Sequence, residues 1–194
     1  MKGAKIHVRS PYTKKPKKAF HTAFLQLLEN KTPAQITVSD LVRKADVNRS
    51  TFYRHYQEIQ DLLDELIHFV LQDLRTAYDD PYQKETDFSL SRLRPEMIKI
   101  FEHVYKNRDF YRQVIHAKIS PGFQNQICEV IKELALRDAL HSHYPTGNAN
   151  LELLASYQAH AIFGMIVYWA ETDFQFSPHY MSEQLYFILN LTRK

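Results

Sequence analysis

One cysteine and four glycines stand among 194 residues, and each scarcity closes off a class of protein. With Cys128 as the sole thiol, the chain makes no disulfide within itself and no cysteine-based zinc cluster. So few glycines leave little material for the Gly-closed hairpins of an all-β fold, and strand-like alternation is nearly absent. Nor is there a run of about 18 uninterrupted apolar residues, as a membrane-spanning helix requires. The most apolar stretch, Ala159 to Ala170, is shorter and carries His160 and Gly164. The basic N-terminal segment is not followed by an apolar stretch with a small-residue cleavage site, so a cytoplasmic location is expected. A P-loop, a dinucleotide-binding glycine pattern, a GxSxG elbow and an HExxH helix are all missing. His103, His116, His141, His143 and His160 fall at spacings that match no ligand pattern. No cofactor, metal site or catalytic activity is expected.

What remains is a helical chain with 44% apolar residues, enough for a real core. Leu, Phe, Tyr and Ile recur at spacings of three and four, and the sparse prolines fall between the periodic segments. This predicts an all-α fold of about nine helices, near 16–30, 38–45, 49–56, 59–78, 95–106, 108–117, 121–140, 149–172 and 179–191, with a polar loop from Asp79 to Leu90. The charge is unevenly placed. Residues 1–62 hold 12 Lys/Arg against 5 Asp/Glu, whereas 63–194 hold 13 against 17. A basic end on a near-neutral chain points to a polyanion partner, nucleic acid or an anionic membrane. The seven positive charges from Lys2 to Lys18 come without an acid. They act either as a phosphate-attracting arm or as a solubilising tail.

Between Ile36 and Tyr56 the sequence reads ITVSDLVRKADVNRSTFYRHY. Thr37 followed by Asp40 is a shortened capping box, and Asn48 is a good N-cap for a second short helix, with Val47 and Phe52 spaced as a hydrophobic staple. Two short helices joined by a tight turn form a helix-turn-helix. On the second of them Phe52 and Tyr56 share the inward face, while Ser50, Tyr53 and Arg54 point outward, flanked by Arg49 and Thr51. That outward face holds no carboxylate. Its side chains donate hydrogen bonds to phosphates and base edges, as the start of a recognition helix does.

At these residues the first 60 or so positions resemble the DNA-binding domain of the TetR family of bacterial transcriptional regulators, in the words ITVSDLVRKADV, NRSTFYRHY and DLLDEL. The resemblance implies that Ser39, Arg49, Ser50, Thr51, Tyr53 and His55 contact bases or phosphates, Tyr53 and His55 as phosphate clamps. Arg54 joins the set from its outward position. Two positions depart from the family: Asp46 stands where Gly is common, and Ile59 where Lys is common. Asp tolerates positive φ, so the turn survives at a cost; Ile59 removes one phosphate contact.

The resemblance further implies a domain at 1–62 that reads DNA and one at 63–194 that binds an effector and dimerises through the last two helices. The function it implies is an operator-binding repressor released by a small molecule. The alternative is a TetR-like co-regulator acting mainly through protein contacts, which Ile59 favours. Leu151, Leu154, Gln158, Ile162, Met165 and Trp169 form one stripe compatible with such an interface, and Tyr180, Gln184, Phe187, Ile188 and Leu191 form another. Gly164, unfavourable within a helix, marks a close helix approach. Phe101, Tyr105, Tyr157 and Trp169 are the candidates for lining an effector pocket, with plain core packing as the alternative that helical spacing equally fits.

Overall fold

The computed structural model describes residues 15–80, 93–116, 122–141 and 149–191. Nine α-helices occupy them: α1 (Lys15–Leu28), α2 (Val38–Ala45), α3 (Arg49–Tyr53), α4 (Ile59–Asp79), α5 (Ile100–Lys106), α6 (Arg108–His116), α7 (Phe123–His141), α8 (Leu151–Glu171) and α9 (Pro178–Leu191). No strand occurs among the described residues. Contacts divide the chain into two compact units between Leu66 and Ile67, so that α4 contributes to both. The segment Lys2 to Lys14 of the basic arm, and residues 81–90 of the polar loop, lie outside the described residues.

The helices follow the periodicity, and where they depart from it the backbone has other partners. Residues 95–106 are expected as one helix. Instead, Pro95–Met97 forms a single 3-10 turn, Ile98 is extended, and α5 starts at Ile100. The Ile98 carbonyl accepts a hydrogen bond from Ser182 Oγ on α9 at 2.9 Å. Likewise α3 stops at Tyr53, three residues short of the expected end. Beyond it the chain turns into α4, whose Asp61 carboxylate accepts from the backbone N–H groups of Gln57 and Glu58 at 2.7 and 3.1 Å.

In the first unit, Phe20, Ala23, Phe24 and Leu28 of α1 are buried, as the three-and-four spacing requires, together with Leu41, Phe52, Tyr56, Leu62, Leu63 and Leu66. Phe52 is fully buried and meets Phe20 edge-on with ring centroids 5.7 Å apart; Tyr56 lies 5.4 Å from Phe52.

In the second unit α7 packs along α8, α6 on α8, and α5 on α9. Trp169 is fully buried beside Phe101 and Phe174, with Tyr105 stacked on it at 5.9 Å, and its Nε1–H donates to the Phe176 carbonyl at 3.1 Å. His103 is buried between α4 and α6. Its Nδ1 lies 3.0 Å from Asp73 Oδ2 and its Nε2 3.1 Å from the Tyr111 hydroxyl. A carboxylate only accepts, so the His103 Nδ1–H donates to Asp73. The bond from His103, outweighing burial and joined by Asn107 and Lys106, holds the Asp73 carboxyl far below the usual carboxylate range.

Candidate nucleic-acid interface

The cap signals around α2 are realised atom by atom. The Asp40 backbone N–H donates to Thr37 Oγ1 at 3.1 Å, and the Thr37 N–H donates back to Asp40 Oδ2 at 3.2 Å. Lys31 Nζ bonds the same carboxylate at 2.7 Å. That bond, with those from Thr37, lowers the Asp40 pKa to about 2. At the other end of α2, Asp46 takes φ 52° and ψ 49°, the left-handed conformation that the turn demands and that glycine adopts without strain. Asn48 does occupy the N-cap of α3, where its carbonyl accepts from the Thr51 N–H at 2.9 Å, but its side chain makes no capping bond.

Three of the expected DNA contacts meet on one surface. Arg49 donates from Nη1 to Ser39 Oγ and from Nη2 to the Tyr53 hydroxyl, both at 3.2 Å. Its guanidinium lies 5.6 Å from the Tyr53 ring centroid. These are neutral hydroxyl partners, so an incoming phosphate or guanine edge exchanges for them at small cost and gains a charge-assisted bond. Ser39, Arg49, Ser50, Tyr53 and Arg54 are exposed, while Thr51 and His55 are partly buried.

One residue of this unit escaped the reading of the sequence. Glu65, in the middle of α4, accepts hydrogen bonds from Lys17 Nζ of α1 and from the Tyr56 hydroxyl just after α3, and lies 3.6 Å from His21 Nε2. Burial raises its pKa, but the bonds from Lys17 and Tyr56 with the Lys17 charge outweigh burial and hold it below the ordinary value. One carboxylate thus ties together the helix before the helix-turn-helix, the end of its second helix and the helix after it. The hydroxyl of Tyr56, a donor on the inward face, is the one sign of it in the sequence.

Comparison with known proteins bears on both units. The family model of bacterial regulatory proteins of the tetR family matches residues 23–66. A second model, of a transcriptional regulator C-terminal region, matches residues 92–191, more than half of the chain. The chain belongs to the TetR family. Among curated TetR-like relatives, the HTH-type regulator YxbF of Bacillus subtilis (strain 168) is 20% identical over 171 residues, 88% of this chain but only 44% of its own length. The dhaKLM operon transcriptional activator DhaS of Lactococcus lactis subsp. lactis (strain IL1403) is 23% identical over 142 residues, 72% of this chain and 71% of that protein. Two solved structures share the fold. A TetR-family regulator from Syntrophomonas wolfei str. Goettingen has a TM-score of 0.69 at 18% identity, covering 93% of this chain and 96% of that one. A fatty acid metabolism regulator of Clostridium perfringens has 0.66 at 20% identity, covering 86% and 94%.

In the second unit of this TetR-family chain, the four candidate pocket residues divide between packed rings and the surface. Phe101 and Trp169 are fully buried against each other in the core, and Tyr105, 39% exposed, stacks on Trp169 from the surface side. Tyr157 is 66% exposed on α8. A cavity of about 110 Å³ opens instead among Tyr78 of α4, the Pro95 turn and the faces of α7, α8 and α9, and none of the four lines it. Its walls are aliphatic, including Leu93, Met97, Ile131, Leu154, Ile162 and Leu185, with Tyr78, Lys99, Asp138 and Gln158 as the polar members. The α8 stripe assigned to an interface therefore points partly inward: Leu154, Gln158 and Ile162 face this cavity and Trp169 the core. Gly164 is exposed, and a Cβ built on it meets nothing within 4 Å, so no described helix of the same chain packs against it. No described helix is long and apolar enough to cross a membrane.

Proposed function

We propose that this TetR-family chain is a cytoplasmic, sequence-specific DNA-binding repressor that acts as a homodimer and leaves its operator when a small molecule occupies the cavity of the second unit. The reading is of a binding protein, not an enzyme. The observation that carries it is the exposed Ser39–Arg49–Tyr53 constellation on a helix-turn-helix whose outward face bears Ser50, Thr51 and Arg54 and no acid. Support for the dimer comes from Leu153, Tyr157 and Tyr168 on α8 and Phe187, Ile188 and Leu191 on α9, which are 46 to 73% exposed. Two reading heads related by a two-fold axis call for an inverted-repeat operator, with half-site centres about 10 bp or a multiple of a helical turn apart. The effector's route to DNA is α4, a single helix from Ile59 to Asp79. Tyr78 at its far end lines the cavity. By linkage, operator DNA lowers effector affinity by the factor by which effector lowers operator affinity.

Titration of Arg49→Ala and Tyr53→Phe on matched and scrambled operators tests the reading. Both proteins should keep the native circular dichroism spectrum. Arg49→Ala should lose roughly ten- to hundredfold on the matched site and relax its base preference. Tyr53→Phe should weaken both sites alike, as loss of a phosphate contact does. Unchanged affinity in both variants would sink the assignment. Deletion in cells should raise expression from the target promoter; a fall would instead assign activation, the role that the relative DhaS is named for.

A further inference from the structure

The chemistry of the cavity in the second unit defines what enters it. Every charge on its described lining already has a partner within the protein. Asp138, 6% exposed, accepts from the Tyr78 hydroxyl at 2.7 Å and lies 3.5 Å from Arg137 Nε; Lys99 Nζ bonds Glu102 at 2.7 Å. A net charge brought in by a ligand would have to displace one of these partners to be paired, and a carboxylate would in addition face Asp138. Gln158 differs from these residues. It stands in the lining between Leu154 and Ile162, and no described protein group hydrogen-bonds its amide, which offers both a donor and an acceptor. The remaining surface is aliphatic. Tyr78 supplies the only ring in the described lining, although the unit is rich in aromatic residues that pack on one another elsewhere.

Size narrows the class further. A dry cavity of roughly 150 Å³ accepts benzene, so 110 Å³ suits a molecule of about four to six non-hydrogen atoms.

We propose that the cavity binds a short, uncharged aliphatic molecule with one hydroxyl or carbonyl group, its polar end on Gln158 and its chain against Ile131, Leu154, Ile162 and Leu185. The proposal rests on the reading of this cavity as the effector site and adds the chemical class of the effector. A hydroxyl both gives and takes a hydrogen bond, which matches the Gln158 amide.

The test uses the full-length protein and three probes of equal chain length, 1-pentanol, pentanoate and pentylamine, titrated at pH 7 and followed by isoleucine methyl NMR. Pentanol should bind at least about tenfold more tightly than either charged probe, the penalty for burying an unmatched charge. Gln158→Leu should cut pentanol affinity several-fold, and Ala139→Leu, which adds bulk at the cavity wall without a charge, should weaken it as well. Tighter binding of pentanoate or pentylamine overturns the proposal. So does absence of pentanol binding, or pentanol binding that neither substitution alters. Operator titration in the presence of bound pentanol is read separately. Unchanged operator affinity would refute the effector reading of the site and leave the ligand class standing.

Discussion

Phe52→Ala should abolish operator binding, lowering affinity by at least about a hundredfold, because it unfolds the reading head rather than removing a contact to DNA. Phe52 is fully buried at the centre of the first unit and meets the rings of Phe20, Tyr53 and Tyr56. Deleting a buried phenylalanine costs about 3 to 5 kcal/mol, part transfer energy and part cavity. A unit of about 50 residues is typically stable by only some 3 to 7 kcal/mol. The two magnitudes overlap, so the substituted unit should be largely unfolded. Hydrogen exchange should show amides of residues 15–66 losing protection while those of residues 67–191 keep it. Phe52→Leu keeps most of the volume and should cost about 1 to 1.5 kcal/mol, leaving weakened binding. Native affinity in Phe52→Ala would mean that the observed core is not what holds α3 in place.

The second large effect concerns Gly164, whose consequences should have opposite signs within one chain and between two. In the single chain its Cβ position is open, and leucine is a better helix former by about 0.8 kcal/mol. Local helix stability should rise. In the proposed dimer α8 presents this face to the partner, and a two-fold axis places every substitution at the interface twice. Overpacking costs about 1 to 3 kcal/mol per site, so Gly164→Leu should weaken dimerisation by about 2 to 6 kcal/mol. Sedimentation should find monomer at concentrations where the native chain is dimeric, with helix content unchanged. Operator affinity should fall in step, because an isolated head loses the gain from tethering to a second half-site. A fully dimeric Gly164→Leu protein of raised thermal stability would place Gly164 outside the interface.

Legibility in the sequence followed the range of the interactions. The Thr37–Asp40 box closes over three residues, and the limits of α2 are those that the capping residues predict. The end of α3 was harder to read, because its stop depends on Asp61 taking two backbone N–H groups from the following turn. Glu65 was invisible as a tie, since its partner Lys17 stands 48 positions away. The cavity was unreadable for a different reason. Spacing does not separate rings that line a pocket from rings that pack on one another, as Phe101, Tyr105 and Trp169 do. The lining of the cavity draws on residues 60 and 80 positions apart, such as Tyr78, Asp138 and Gln158, with no periodic relation. On α8 the pattern was ambiguous in itself. The helix is apolar almost all round, so spacing alone did not separate the stripe facing the chain's own interior from the stripe left outside, Leu153, Tyr157 and Tyr168.

Trp169, the sole tryptophan, makes the molecule optically lopsided. Shielded from water and stacked on Tyr105, its indole should emit at short wavelength in the native state and shift to the red only when the surroundings of α5 and α8 come apart. A fluorescence melt therefore watches residues 67–191 and is blind to the first unit, whereas far-ultraviolet dichroism sums the helices of both. Noncoincident curves from the two probes would report two units of unequal stability, not an intermediate on a single folding path.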